Sequence, residues 1–269
     1  MNDAYVRRGP AQSVTGLLLS VPHAGRDYRG VDELARVPLP ALLPLEDRYA
    51  DRLVERAVAA GHVALVATRA RAFIDLNRDV ADLDLDMVLG EPAHSLSPRA
   101  RAGLGLIPRR LAPHGELWRR KLTRAELTTR LTCHRAYHQA LHDELAPMAA
   151  PSLLLDIHSM PPVPQVDIVL GDRHGRSCDP ALTDAAAALL ARLGFRVARN
   201  HPYAGGHITT AFGQPQHARF ALQIEISRAL YLDREERELG PGLPAVQRAI
   251  AMLADALGTL LRPAALAAE

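Results

Sequence analysis

The chain has 269 residues, 48% hydrophobic and 23% charged, with a net charge of +2, which suits one large domain with a full core. Its arginines are spread along the chain and aromatics make up only 4%, so no nucleic-acid-binding surface is expected. No apolar run approaches the roughly 18 residues that a membrane span needs.

Residues 1–8 lack the apolar centre of a signal peptide. Cys133 and Cys178 form no pattern, and a reduced, cytoplasmic protein is the expectation. Residues 16–25 hold an apolar run that ends in Pro22 and His23, a strand and its exit. Gly25 then allows close backbone approach. Residues 40–44 read as a loop. A helix is expected from Glu46 to about Ala60, with Leu53, Val54, Ala57 and Val58 as its apolar stripe and Gly61 as its stop. In its first turn Asp47 has a plain reading as a cap or dipole partner.

Residues 62–67 read as another strand. Residues 68–78 set Arg69, Arg71, Asp75, Asn77 and Arg78 among the anchors Phe73, Ile74 and Leu76. A fixed arginine beside an asparagine suits a small acidic substrate, because guanidinium grips carboxylate bidentately. A surface loop with solvated arginines is the plainer reading of that stretch alone. Residues 79–114, rich in Pro, Gly and Asp, read as a flap-like insertion near the site. A helical stretch is expected from about residue 116 to 145, with a break placed near Thr128. In it His134, His138 and His142 lie one turn apart, a spacing that can chelate a metal. Arg135 follows His134 where a metalloprotease helix has Glu, so a helix face is the preferred reading, with Tyr137 and His138 in a supporting part at most.

Residues 152–161 organise the rest. Four apolar residues lead into Asp156, His158, Ser159 and a Pro stop, which reads as a buried parallel strand. Its carboxyl end lies at the sheet edge where α/β proteins bind ligands. A core strand whose histidine merely bonds a backbone carbonyl is the alternative. Strands are expected at 166–170 and 195–198, around a helix at 180–193. Residues 200–210 form a glycine-rich loop able to aim N–H groups at a ligand. In the strand at 220–228, Gln223, Glu225 and Ser227 alternate with Leu222, Ile224 and Ile226. A carboxylate inside a strand is costly to bury unless it is paired or has a task. Residues 244–261 close the chain as an amphipathic helix.

Six of these stretches, taken in order, resemble the N-formylglutamate amidohydrolase family. They are Pro-His-Ala-Gly at 22–25, Asp47 with Asp51, Arg71-Ala-Phe-Ile-Asp-Leu-Asn-Arg78, Asp156-Ile-His-Ser-Met-Pro161, Tyr203-Ala-Gly-Gly206 and Gln223-Ile-Glu-Ile-Ser-Arg228. Each is weak; the ordered set, spanning about positions 16 to 232, is fairly specific. The family is similar to zinc carboxypeptidases and aspartoacylases. The resemblance implies one zinc-exopeptidase-like α/β domain over residues 1–269, with a mixed, mostly parallel sheet flanked by helices.

It also implies one zinc ion per chain on His23, Asp47 and His158. Carboxypeptidases place a Glu where Arg26 stands here, so Asp47 is the substitute ligand and Glu46 its rival. Glu225 would move the proton from water to the leaving amine, and Arg71 would stabilise the oxyanion. Asn77 and Arg78 would hold a substrate carboxylate, with Ser159, Gly206 and His207 completing the substrate side. Asp75 and Asp156 would support these groups from behind. The implied reaction converts N-formyl-L-glutamate and water to L-glutamate and formate, as in histidine catabolism. His207 and the Arg48-Tyr49 pair depart from the histidine-catabolic members, which keeps other N-acyl or N-carbamoyl amino acids open. A zinc carboxypeptidase and a non-catalytic metal- or ligand-binding protein are the alternatives, and Glu225 argues against the latter. A serine hydrolase built on Ser159 lacks the GxSxG elbow.

Overall fold

The protein is described by a computed structural model that covers residues 4–13, 15–91 and 97–262. In chain order its elements are β1 (Tyr5–Arg8), β2 (Leu17–Val21), α1 (Ala50–Leu53), α2 (Glu55–Ala59), β3 (Val63–Ala67), α3 (Pro98–Arg101), the hairpin β4 (Arg110–Leu111) and β5 (Gly115–Glu116), α4 (Arg124–Leu145), β6 (Ser152–Met160), β7 (Ile168–Gly171), α5 (Pro180–Arg192), β8 (Val197–Arg199), α6 (His207–Phe212), β9 (Arg219–Ser227) and α7 (Leu243–Leu260). Seven strands form one sheet in the order β1-β3-β2-β6-β9-β7-β8. β2 runs parallel to β3 and β6, β6 to β9, and β7 to β8, while β7 and β9 are antiparallel. This is the mixed, mostly parallel sheet expected. β2, β3, β6 and β7 are buried along their whole length, so their runs of Leu, Ile, Val and Ala need no alternation.

The chain divides into two compact units. One comprises Arg7–Val21, Arg48–Val66 and Leu141–Glu269. In it α7 packs on α1, α2, α5 and β2. Val246, Ala249, Ile250, Leu253 and Leu257 form its buried stripe at helical spacing. Burying each Val, Ile or Leu of that stripe contributes about 1.5–3 kcal/mol. α5 starts where the Asp179 carboxylate accepts from Ala181 N at 2.8 Å, with Pro180 in its first turn.

The other unit comprises Met1–Val6, Pro22–Asp47 and Ala67–Ala140. Phe73, Ile74, Leu76, Leu106, Ile107, Leu117, Leu122 and Tyr137 are buried there. The expected flap contains two short 3-10 turns, α3 and half of the β4–β5 hairpin. It is pinned by Arg109, which pairs with Asp84 at 2.7 Å and Glu116 at 3.0 Å. Residues 92–96 of that stretch lie outside the described residues.

Several local expectations are corrected. The supposed loop at 40–44 lies in a 3-10 helix, Leu39–Leu45, with Pro in its first turn and Pro44 inside. Its neighbour does not begin at Glu46: Tyr49 sits at φ 58°, in the left-handed region, and α-helix starts only at Ala50. Asp47 therefore precedes the helix and does not cap it. Residues 116–123 are not α-helical. A capping box starts α4 instead, with Thr123 N donating to Glu126 Oε2 (2.7 Å) and Glu126 N to Thr123 Oγ1 (3.2 Å). α4 is unbroken at Thr128, whose hydroxyl donates back to Arg124 O at 2.9 Å. The glycine-rich loop also ends earlier, since α6 begins at His207. Among the described residues no helix is long and apolar enough to cross a membrane.

Candidate active site

Beyond β2 the chain turns through Pro22 into His23. Asp47 N donates to His23 O at 3.0 Å, which holds the two residues side by side. His23 Nδ1 lies 3.4 Å from Asp47 Oδ2, and His23 Nε2 lies 2.7 Å from Asp75 Oδ1. A carboxylate only accepts, so Nε2 donates to Asp75, and Nδ1 faces the Asp47 carboxylate. Gly25 permits the tight exit: a Cβ there would lie 2.0 Å from Arg69 O.

Asp75 is the hub of this group. Its Oδ1 also accepts from Asn77 N at 2.9 Å, and its Oδ2 accepts from Arg71 Nε at 2.8 Å. Burial alone would raise this carboxyl, but Arg71, Arg78 and His23 outweigh it and hold it well below the usual carboxylate range. Asp75 is thus an anion that fixes the His23 ring and makes its Nδ1 a better donor. Arg78 donates from Nε to Leu104 O (3.1 Å) and from Nη1 to Asn77 O (3.0 Å). Burial lowers its guanidinium from the ordinary value, yet arginine keeps its proton.

The sheet-bearing unit repeats the pattern. Alternation along β6 places Asp156 and His158 on one face. His158 Nε2 lies 2.9 Å from Asp156 Oδ2, and Asp156 Oδ1 accepts from Ser20 Oγ at 2.9 Å. Ser20 stands there because β2 pairs Ser20 with Asp156. The His158 proton again belongs on Nε2, leaving Nδ1 as the electron-pair donor. Parallel register sets Glu225 of β9 beside His158, and Gln223 beside Asp156. Glu225 is 8% exposed. Gln223 Nε2 donates to Glu225 Oε1 at 2.8 Å, and Gly206 N donates to Gln223 Oε1 at 2.8 Å. The backbone of the glycine-rich loop thus orients the amide that orients the carboxylate.

His23, Asp47 and His158 are all buried, and each offers one ligand atom. Two imidazoles tied at Nε2 and one carboxylate form a donor set that can hold a metal ion. Glu46, the rival ligand, accepts from the Tyr28 hydroxyl. Ser159 is on the opposite face of β6 from His158, and its hydroxyl accepts from Arg228 Nε at 3.3 Å. His207 is the first residue of α6, directly after Gly206. His134 Nε2 and His138 Nε2 bond Arg78 O (2.9 Å) and Leu76 O (2.8 Å), while the His142 side chain is 68% exposed. The sequence sets Gln223 on the strand face of Glu225 but gives it no role. It does not point to Ser20, because only strand pairing brings that residue to Asp156.

The profile of the N-formylglutamate amidohydrolase family matches residues 15–232. The chain is 31% identical over 233 residues to an N-formylglutamate deformylase of Pseudomonas aeruginosa, covering 81% of this chain and 83% of that protein. Against the N-formylglutamate deformylase of Pseudomonas putida it is 30% identical over 231 residues, 82% and 83% of the two chains. The crystal structure of N-formylglutamate amidohydrolase from Ralstonia eutropha JMP134 superposes with a TM-score of 0.89 at 32% identity, over 97% of this chain and 99% of that one.

Proposed function

We infer what this chain does from one premise: it belongs to the N-formylglutamate amidohydrolase family. It is a hydrolase that acts on an amide. Its substrate, in our reading, is N-formyl-L-glutamate, cleaved by water to formate and L-glutamate. The observation that carries this reading is the match, along four-fifths of both chains, to proteins named for that reaction. The acidic amino acid fits the Asn77 and Arg78 pair, and a single catalytic carboxylate fits Glu225.

The metal we assign is zinc, held by His23, Asp47 and His158. The donor set supports it: Asp75 and Asp156 hold the protons of both rings on Nε2 and leave both Nδ1 atoms as ligands. When bound, such an ion is a Lewis acid that polarises a carbonyl and makes water more acidic. The remaining steps belong to side chains. Glu225 takes a proton from water as its oxygen attacks the formyl carbon. It then returns that proton to the amine nitrogen as the C–N bond breaks. Gln223 keeps the Glu225 carboxylate aimed through both steps. Arg71, anchored by Nε on Asp75, stabilises the oxyanion. Arg78 takes a substrate carboxylate with Nη2, which makes no hydrogen bond among the described residues, and Asn77 assists.

The test pairs metal analysis of protein purified without added metal with a formate-release assay. We expect about one zinc per chain and formate release from N-formyl-L-glutamate. His158→Ala should lose the metal while circular dichroism stays unchanged. Full metal content in that variant would refute the ligand assignment.

A further inference from the structure

We propose that α4 is the positioning element of the substrate-carboxylate loop, with Arg130, His134 and His138 fixing Asn77 and Arg78 through three backbone carbonyls. This rests on the substrate role given above to Asn77 and Arg78. The three residues stand four apart on α4, which puts them on one helix face. Arg130 Nη1 donates to Phe73 O, and its Nη2 donates to Gly30 O at 3.2 Å. His138 Nε2 lies 2.8 Å from Leu76 O, and His134 Nε2 lies 2.9 Å from Arg78 O. A carbonyl oxygen only accepts, so both rings must donate from Nε2. All three donors converge on residues 73–78, the stretch that carries Asp75, Asn77 and Arg78.

That stretch is turn and coil, without a strand ladder to occupy its carbonyls, and buried carbonyls need partners. α4 supplies them. The arrangement is rigid for three reasons. The His134 and His138 rings stack at 4.2 Å with 22° between their planes, so each limits the other. Arg130 is 1% exposed, and among the described residues its hydrogen bonds go only to carbonyls. The Phe73 ring has the Arg130 guanidinium 4.5 Å and the Arg69 guanidinium 3.9 Å from its centre. The capping box at Thr123 and Glu126 sets where α4 begins, and so which residues face the loop. A face needed only for packing would be apolar; this one places donors at three carbonyls of one six-residue stretch.

The test compares the unmodified protein with His134→Ala/His138→Ala and with His138→Ala and His138→Gln, since a glutamine amide can still donate. Amide hydrogen exchange is read by NMR at Asn77, whose N–H is held by Asp75, against the amides of α4. Kinetics are read with N-formyl-L-glutamate. In the double variant we expect faster exchange at Asn77 with α4 unchanged. We also expect KM raised roughly tenfold with kcat within about threefold, the pattern of lost ground-state binding. His138→Gln should lie closer to the unmodified protein than His138→Ala in both readouts. Unchanged exchange at Asn77, or a fall in kcat at constant KM, would overturn the proposal. If the double variant does not fold, equal KM in His138→Ala and His138→Gln would overturn it. Failure of the unmodified protein to release formate would refute the substrate reading instead, and the exchange measurement would still decide whether α4 holds the loop.

Discussion

Asp75 and Asp156 act alike on two histidines. Each accepts a hydrogen bond from Nε2, and each is itself held, Asp75 by Arg71 and the Asn77 amide, Asp156 by Ser20. A carboxylate fixed in this way settles both the tautomer and the tilt of its ring. Arg78 is held as firmly, with Nε and Nη1 committed to backbone carbonyls. Its contribution to binding should therefore be directional. Arg78→Ala is expected to weaken substrates with a free carboxylate by about 1.5–3 kcal/mol, the range for a hydrogen bond to a charged group. Measuring KM for N-formyl-L-glutamate and for its two monoamides, one at the side chain and one at the α-carboxyl, checks this. An equal loss for all three would place the guanidinium's action elsewhere.

The elements explain which parts could be read from the sequence. β6 and β9 announce themselves, because apolar runs bounded by Pro and an alternating Gln223, Glu225 and Ser227 depend on nothing distant. The close approach at Gly25 was legible for the same reason. Gly25→Ala should shift the backbone against Arg69 O and lower stability by roughly 1–3 kcal/mol, the usual range for overpacking. A thermal melt checks it, and an unchanged midpoint would contradict the contact. Asp47 was legible as a residue but not as a location. Proline inside Leu39–Leu45 and the left-handed Tyr49 delay the helix, and neither effect shows in hydrophobic periodicity. The parts of His134 and His138 were hidden more deeply. Their partners are carbonyl oxygens 56 and 62 positions away, and a carbonyl carries no sequence signature.

Across the whole molecule, several surface carboxylates depend on arginine partners. The Arg120 guanidinium holds Glu126 down to about 2, helped by Thr123, and Arg29 holds Asp27 at about 2. Both values lie below those of the free side chains, so the stability they confer is complete above about pH 4.5 and is lost as the pH falls through 2. Melting temperature should decline between pH 5 and 2. The decline should shrink in high salt, because both carboxylates are partly exposed and open to screening. A melting temperature that stays flat over that range would show that these pairs contribute nothing.

Glu225→Gln tests the central claim most directly, because it keeps the shape of the side chain and removes only its ability to carry a proton. The variant should melt near the unmodified protein and bind as much of the proposed zinc, while formate release falls by roughly 100- to 10,000-fold, the usual contribution of general acid–base catalysis. Undiminished turnover in a folded, zinc-loaded Glu225→Gln protein would contradict the account.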